Sequence, residues 1–289
     1  MSVQLKEALS NAVSQLTVSN VPSPRMNAEL LLMFTLGCDR AYLFAHPERK
    51  LNSDESSRYE SALAERSRGV PAQYITGHQE FWGMDLIVSP AVLIPRPETE
   101  HVVETVLKLS SAEVKQRSPA KPLRIVDVGT GSGCIALALA KELIEAEIHA
   151  TDISPAALEI ARANAARLQF EPRINFHQTD LLDGLNGLFD VVVSNPPYVG
   201  ESEEDTVQLE VRKFEPRTAV FAGPTGTEVI DRLIAVARGK LRPGGWLVME
   251  ISGTIVEGVR DLISGWDQVE VISDLQSIPR VVKARKPLS

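Results

Sequence analysis

The residues best suited to chemistry are Asn195-Pro196-Pro197-Tyr198, which close the apolar run Phe189-Asp190-Val191-Val192-Val193-Ser194. That run reads as a buried parallel strand. A polar Asn at the carboxyl end of such a strand stands where open α/β sheets bind ligands. Two successive prolines remove two N–H groups and fix two φ angles, and the residue before each is driven out of the helical region. The result is a stiff, extended turn that aims the Asn195 side chain and backbone carbonyls such as that of Pro196 into a cleft. Those acceptors suit an incoming NH₂ group, a planar amide or an aromatic amine, whose nitrogen attacks a methyl donor. The plainer alternative for Asn195 is a turn-forming residue before proline.

A donor site is expected upstream. Residues 123–128 read as a strand that ends with Asp127 and Val128; Gly129-Thr130-Gly131-Ser132-Gly133 follows, and then an apolar helix from Cys134. Strand, glycine turn and helix make the nucleotide-binding unit, in which glycines let backbone approach a ligand closely. The Gly-x-Gly-x-Gly spacing after an acidic strand residue differs from the dinucleotide pattern and favours S-adenosylmethionine. The next strand ends at Asp152, whose two carboxylate oxygens match a vicinal ribose diol; the alternative, a helix cap, is better filled by Ser154 before Pro155. A third strand, 174–179, ends at Asp180, which could accept from an adenine amino group with Leu181 packed on the ring, or could be an ordinary turn aspartate.

These residues need a scaffold. From residue 123 onward strands and helices alternate, which predicts a mostly parallel sheet with helices on both faces. Further strands are expected at 245–251, 269–272 and 280–284, the last two as an antiparallel edge pair. Before them, Leu5, Leu9, Val13 and Leu16 recur at helical spacing, and 28–33 and 54–68 also read as helical. The charge run 60–68 is expected as a solvated face. Residues 71–77 break the helical pattern, and 79–88 read as a hairpin turning near Gly83, with Phe81 and Trp82 placed to pack the joint or, as the alternative, to contact a partner. Residues 98–109 read as a helix. The division expected is a helical bundle over 1–75, a hairpin linker over 76–95 and an α/β domain over 96–289.

Composition narrows the class. The chain has 289 residues, 44% hydrophobic and 24% charged, with net charge −8, as in globular proteins. Acidity lowers the expectation of stable nucleic-acid binding and is compatible with a basic protein partner. No stretch is long and apolar enough for a membrane span, and no secretory signal opens the chain. Cys38 and Cys134 fit no metal spacing and suit a reduced, cytoplasmic setting; the five histidines form no metal motif.

Taken together, Asn195-Pro196-Pro197-Tyr198, the Asp127-to-Gly133 segment, Pro71-Ala72-Gln73-Tyr74-Ile75-Thr76-Gly77, Phe81-Trp82-Gly83 and Leu93-Ile94-Pro95-Arg96-Pro97-Glu98-Thr99-Glu100 resemble the PrmC/HemK protein-(glutamine-N5) methyltransferases over nearly the whole chain. The resemblance implies a Rossmann-like methyltransferase domain with a seven-stranded sheet and a helical N-terminal docking segment. It implies methylation of the glutamine in the Gly-Gly-Gln motif of class-I peptide chain release factors, without a metal. It also implies that Asn195 and Pro196 bind the substrate amide, that Tyr198 packs on its plane beside Pro197, and that the glycine loop, Asp152 and Asp180 line the donor site. Where the family usually has Gly-Gly-x-Asp-Gly, this chain has Ala222-Gly223-Pro224-Thr225-Gly226, and Ser252 stands where a glycine is usual. The alternatives are an amino-methyltransferase acting on a flipped nucleic-acid base, methylation of a ribosomal-protein glutamine, and a binding protein without turnover.

Overall fold

Apolar residues recurring every three to four positions build the first part of the computed structural model, which describes residues 3–114 and 122–288. Helices Leu5–Val18, Pro24–Leu36 and Ser53–Ser67 bury Leu5, Leu16, Leu31, Leu32, Tyr59 and Leu63 in one core. Two shorter helices, Arg40–Ala45 and Ala72–Thr76, depart from expectation. Asp39 starts the first by accepting from the Tyr42 N–H at 2.8 Å. Residues 71–77 are a single helical turn rather than a break: Pro71 precedes it, where a missing N–H costs nothing, and Gly77 ends it at φ +76°. The run 60–68 is solvated at Glu60 and Arg68, as expected, but departs at one charged residue. Arg66 follows Tyr59, Ala62 and Leu63 on the inward face of its helix and is buried. The unit comprises Met1–His78 and Gln208–Phe214.

The second unit comprises Gln79–Val207 and Glu215–Ser289. Strands β1 (His78–Phe81) and β2 (Met84–Ile87) form the hairpin, with Trp82 and Gly83 at φ 54° and 65°, as a two-residue turn requires. Phe81 is fully buried and Trp82 packs against the same core. The helix expected at 98–109 starts with a tight turn, Pro97–Thr99, and runs on as Glu100–Val114.

The main sheet takes β3 (Arg124–Val128), β4 (Glu147–Asp152), β5 (Ile174–Gln178) and β6 (Phe189–Ser194). A short parallel pair, β7 (Val199–Gly200) and β8 (Phe221–Gly223), lies apart from it. The sheet continues with β9 (Leu241–Glu250), β10 (Asp267–Ser273) and β11 (Pro279–Arg285). Its order is β10-β11-β9-β6-β3-β4-β5; five strands are parallel and β10 and β11 form the antiparallel edge. β9 starts at Leu241 rather than 245 because an irregularity opposite Phe189 and Val191 absorbs the Pro243-Gly244-Gly245 turn signal. Alternate residues feed two cores: Ile125, Val191 and Val248 face one, and Val126, Val192 and Leu247 the other.

Candidate functional site

Strand register builds the site. Val128 of β3 pairs with Thr151 of β4 and with Ser194 of β6, and Ser194 pairs with Met249 of β9. The next residue on each strand, Gly129, Asp152, Asn195 and Glu250, therefore stands on one carboxyl rim. The glycine loop and Asn195-Pro196-Pro197-Tyr198 leave adjacent central strands at the point where strand order reverses, the usual ligand crevice of such sheets.

The glycine loop is open and anchored. Gly131 adopts φ +55°, and a Cβ there would meet nothing within 4 Å, so its backbone faces free space. Thr130 N–H donates to the Thr151 carbonyl at 2.9 Å. Gly131 N–H donates to Asp152 Oδ2 and Ser154 N–H to Asp152 Oδ1, both at 2.9 Å. These bonds hold the Asp152 carboxylate in place and leave lone pairs on both oxygens. Ser154 takes the capping role, accepting from Ala157 N–H at 3.2 Å. Asp127 is buried. Its Oδ2 accepts from the Thr130 hydroxyl at 2.6 Å and from Ala136 N–H at 3.2 Å, while Oδ1 has no partner among the described residues. Burial pushes the Asp127 carboxyl up to about 7. An unpartnered buried carboxylate oxygen under an open glycine loop fits a ligand that carries cationic groups, as a sulfonium nucleoside with an amino-acid tail does. Asn164 steadies the loop from behind, donating to the Ser132 carbonyl at 3.0 Å.

Asp180 and Leu181 follow β5 near this rim, since Thr179 N–H donates to the Asp152 carbonyl at 3.0 Å. The Asp180 carboxylate pairs with Arg232 at 2.5 Å, and both side chains are well exposed. Leu181 stands at φ +51° and packs against the second core.

Around Asn195 stand two residues that sequence reasoning passed over as site members. Asn195 Nδ2 donates to Thr99 Oγ1 at 3.1 Å. Thr99 Oγ1 donates to Glu250 Oε2 at 2.6 Å, and the Tyr198 hydroxyl donates to Glu250 Oε1 at 3.3 Å. Thr99 and Glu250 are both buried. Burial pushes the Glu250 carboxyl up to about 7 and also raises the Tyr198 hydroxyl. Glu250 carried the same signal as Asp152, a carboxylate closing a parallel strand. Thr99 lay in the Leu93-to-Glu100 segment that carries part of the resemblance; its hydroxyl meets Asn195.

The segment Ala222-Gly223-Pro224-Thr225-Gly226 supports the Tyr198–Gly200 backbone. A Cβ on Gly226, at φ +86°, would stand 2.6 Å from the Tyr198 carbonyl oxygen, so only glycine fits that close approach. Among the described residues no group of His, Cys, Asp and Glu could hold a metal, and no helix is long and apolar enough to cross a membrane.

Comparisons with known proteins bear on both units. The family model of the PrmC N-terminal domain matches residues 7–77, and that of the methyltransferase small domain matches residues 111–213. A release factor glutamine methyltransferase of Koribacter versatilis is 53% identical over 287 residues, 99% of each chain. One from Moorella thermoacetica is 43% identical over 259 residues, 89% of each chain. Among solved structures, a methyltransferase from Pyrococcus furiosus is similar with a TM-score of 0.52 at 19% identity, over 80% of this chain and 99% of that one, a likeness of fold.

Proposed function

The chain belongs to the release factor glutamine methyltransferase family, and on that premise we propose how its rim works. The protein transfers a methyl group from S-adenosylmethionine to the side-chain amide nitrogen of the Gly-Gly-Gln glutamine in a class-I peptide chain release factor. The donor supplies an electrophilic methyl group on a sulfonium, which needs no metal. Asp127, the Gly129-to-Gly133 loop and Asp152 hold it, with Asp180 and Leu181 at the adenine end.

An amide nitrogen is a weak nucleophile, so the chain must position it. Asn195 Oδ1 and the Pro196 carbonyl accept the two amide hydrogens, and Tyr198, beside Pro197, lies against the amide plane. Holding reactants in a near-attack geometry contributes roughly 7–11 kcal/mol in favourable cases, and the acceptors stabilise charge developing on nitrogen. One observation carries this reading: Asn195 Nδ2 is already engaged by Thr99, so Oδ1 is the atom left to accept. The reaction is assigned to the cytoplasm, where release factors work.

Residues 1–75 are assigned to docking of the release factor. A groove of about 410 Å³ lined by Leu5, Leu9, Val13, Leu32, Leu43 and Phe44 supports this. A short Gly-Gly-Gln peptide, which lacks those contacts, should be methylated far less efficiently than the intact factor.

Incubation with labelled donor and a panel of release factor, ribosomal protein, tRNA and DNA tests the function. Mass spectrometry should place the methyl group on the glutamine of the intact release factor; label on a base or on ribosomal protein would overturn the substrate. Asp152→Ala should weaken donor binding by about tenfold to a hundredfold in calorimetry, as expected for losing hydrogen bonds to a charged acceptor. Asp180→Ala should cost less, because its exposed carboxylate is shared with Arg232. Unchanged donor affinity in Asp152→Ala would remove that residue from the site.

A further inference from the structure

We propose that Glu250 and Thr99 are positioning residues: Glu250 fixes the direction of the Thr99 hydroxyl, and that hydroxyl decides which end of the Asn195 amide faces the methyl acceptor. The proposal rests on the reading of Asn195 as the amide clamp and concerns how that clamp is set.

Proton counting sets the direction of each bond. The Thr99 hydroxyl has a single hydrogen. While it is donated to Glu250 Oε2 at 2.6 Å, Thr99 Oγ1 can meet Asn195 only as an acceptor. Asn195 then offers Nδ2, at 3.1 Å, and Oδ1 is left to take a substrate N–H. With Glu250 neutral, the carboxyl can donate to Thr99 Oγ1 and the Thr99 hydrogen is released toward Asn195. That favours Oδ1 on the Thr99 side and turns the NH₂ group outward. A substrate amide would then meet donors with its own donors. Thr99 and Glu250 are 1% and 2% exposed, so water does not rescue either arrangement.

Glu250 is faced from several elements. The Tyr198 hydroxyl donates to its Oε1 at 3.3 Å. Glu98, one residue before Thr99, opposes its charge, and Arg280 of β11 favours it. Arg280 is itself held by Asp274 at 2.8 Å and Glu98 at 3.6 Å. Burial pushes the Cys134 thiol up to about 12, and Glu250 adds to that rise. Burial outweighs the favourable partners and lifts the Glu250 carboxyl from its ordinary 4.5 to about 7. The ionised form sets the clamp, so the methyl-transfer rate should rise with pH through about 7. The effect on stability has the opposite sign. A carboxyl raised on folding favours the fold most below its unfolded value, and that contribution is lost as pH rises through the folded value.

The test uses the full-length protein and an intact release factor, with single-turnover rates from pH 6 to 9, donor affinity by calorimetry and thermal unfolding. Glu250→Gln cannot ionise at any pH, and the NH₂ group it carries can donate to Thr99 Oγ1. Its rate at pH 8.5 should fall by about a hundredfold, the lower end for removing one preorganised polar group, and the rise near pH 7 should vanish. Donor affinity should be unchanged, and the variant should melt no lower than the parent at pH 8.5. Thr99→Val should show the same rate loss, and Thr99→Ser should restore both rate and pH profile. A parental rate and profile in Glu250→Gln, or a Thr99→Ser as slow as Thr99→Val, would overturn the proposal. Loss of turnover in Asn195→Ala with parental Glu250→Gln sinks the positioning role and spares the clamp. Full turnover in Asn195→Ala sinks the clamp itself.

Discussion

Asn195→Ala should cut single-turnover methylation by about a thousandfold, the upper range for removing a preorganised polar group, while leaving S-adenosylmethionine affinity within about twofold, since the lost contact is to the acceptor. The truncation removes Oδ1, which is assigned to the acceptor amide, and the Nδ2 bond to Thr99. Pro196 remains, but one carbonyl fixes a direction without fixing a plane. The substrate nitrogen then samples orientations in which its lone pair misses the methyl carbon, and the positioning advantage is lost. Asn195→Asp should also fail, because it keeps Oδ1 but brings a carboxylate toward Thr99 and Glu250 and removes the N–H that Thr99 accepts. Tyr198→Phe should be mild: the ring stays and only the hydroxyl bond to Glu250 is lost. Tyr198→Ala should lie between. Turnover of Asn195→Ala near the parental rate, with the glutamine still the modified residue, would defeat the clamp.

What could be read from the chain and what could not divide along physical lines. The glycine loop and the Asn-Pro-Pro-Tyr turn are local: their conformations follow from glycine and proline over a few consecutive residues. A mostly parallel sheet follows from the alternation of strands and helices, whereas the order that sets their two strands side by side is seen only in the structure. Thr99 and Glu250 were out of reach for another reason. The hydrogen bonds that make them part of the site span 96 residues in one case and 151 in the other, and no spacing rule encodes such a meeting. Asp180 shows a similar limit, since its position after a strand was legible but its Arg232 partner, 52 residues on, was not. The helical turn at Ala72–Thr76 was missed because Pro71 and Gly77 each read as breakers, although together they mark a start and a stop.

Arg66 carries the largest expected effect on stability, for the same reason that the charge run misled. Arg66→Met should destabilise the protein by about 3 kcal/mol, near the lower end for breaking a buried ion pair, and lower the thermal midpoint by roughly 10 °C. The guanidinium donates to Asn27 Oδ1 at 2.8 Å, to the Val70 carbonyl at 3.0 Å and to Glu210 Oε2 at 2.7 Å. Its side chain is 4% exposed and that of Glu210 is 27% exposed. Methionine fills the space along the helix face but satisfies none of the three acceptors. Asn27 cannot turn over to compensate, because its Nδ2 is spent on the Pro22 and Ser23 carbonyls at 2.8 and 3.2 Å. Adding Glu210→Gln to Arg66→Met should recover about 1 kcal/mol, the part due to the unpaired and partly hydrated charge, and no more, because Asn27 and Val70 stay unsatisfied. Donor affinity of the folded variant should be parental, since every group involved lies in the first unit. Denaturant melts that put Arg66→Met within about 0.5 kcal/mol of the parent, the range of ordinary surface substitutions, would return Arg66 to the solvated face that the charge run suggested.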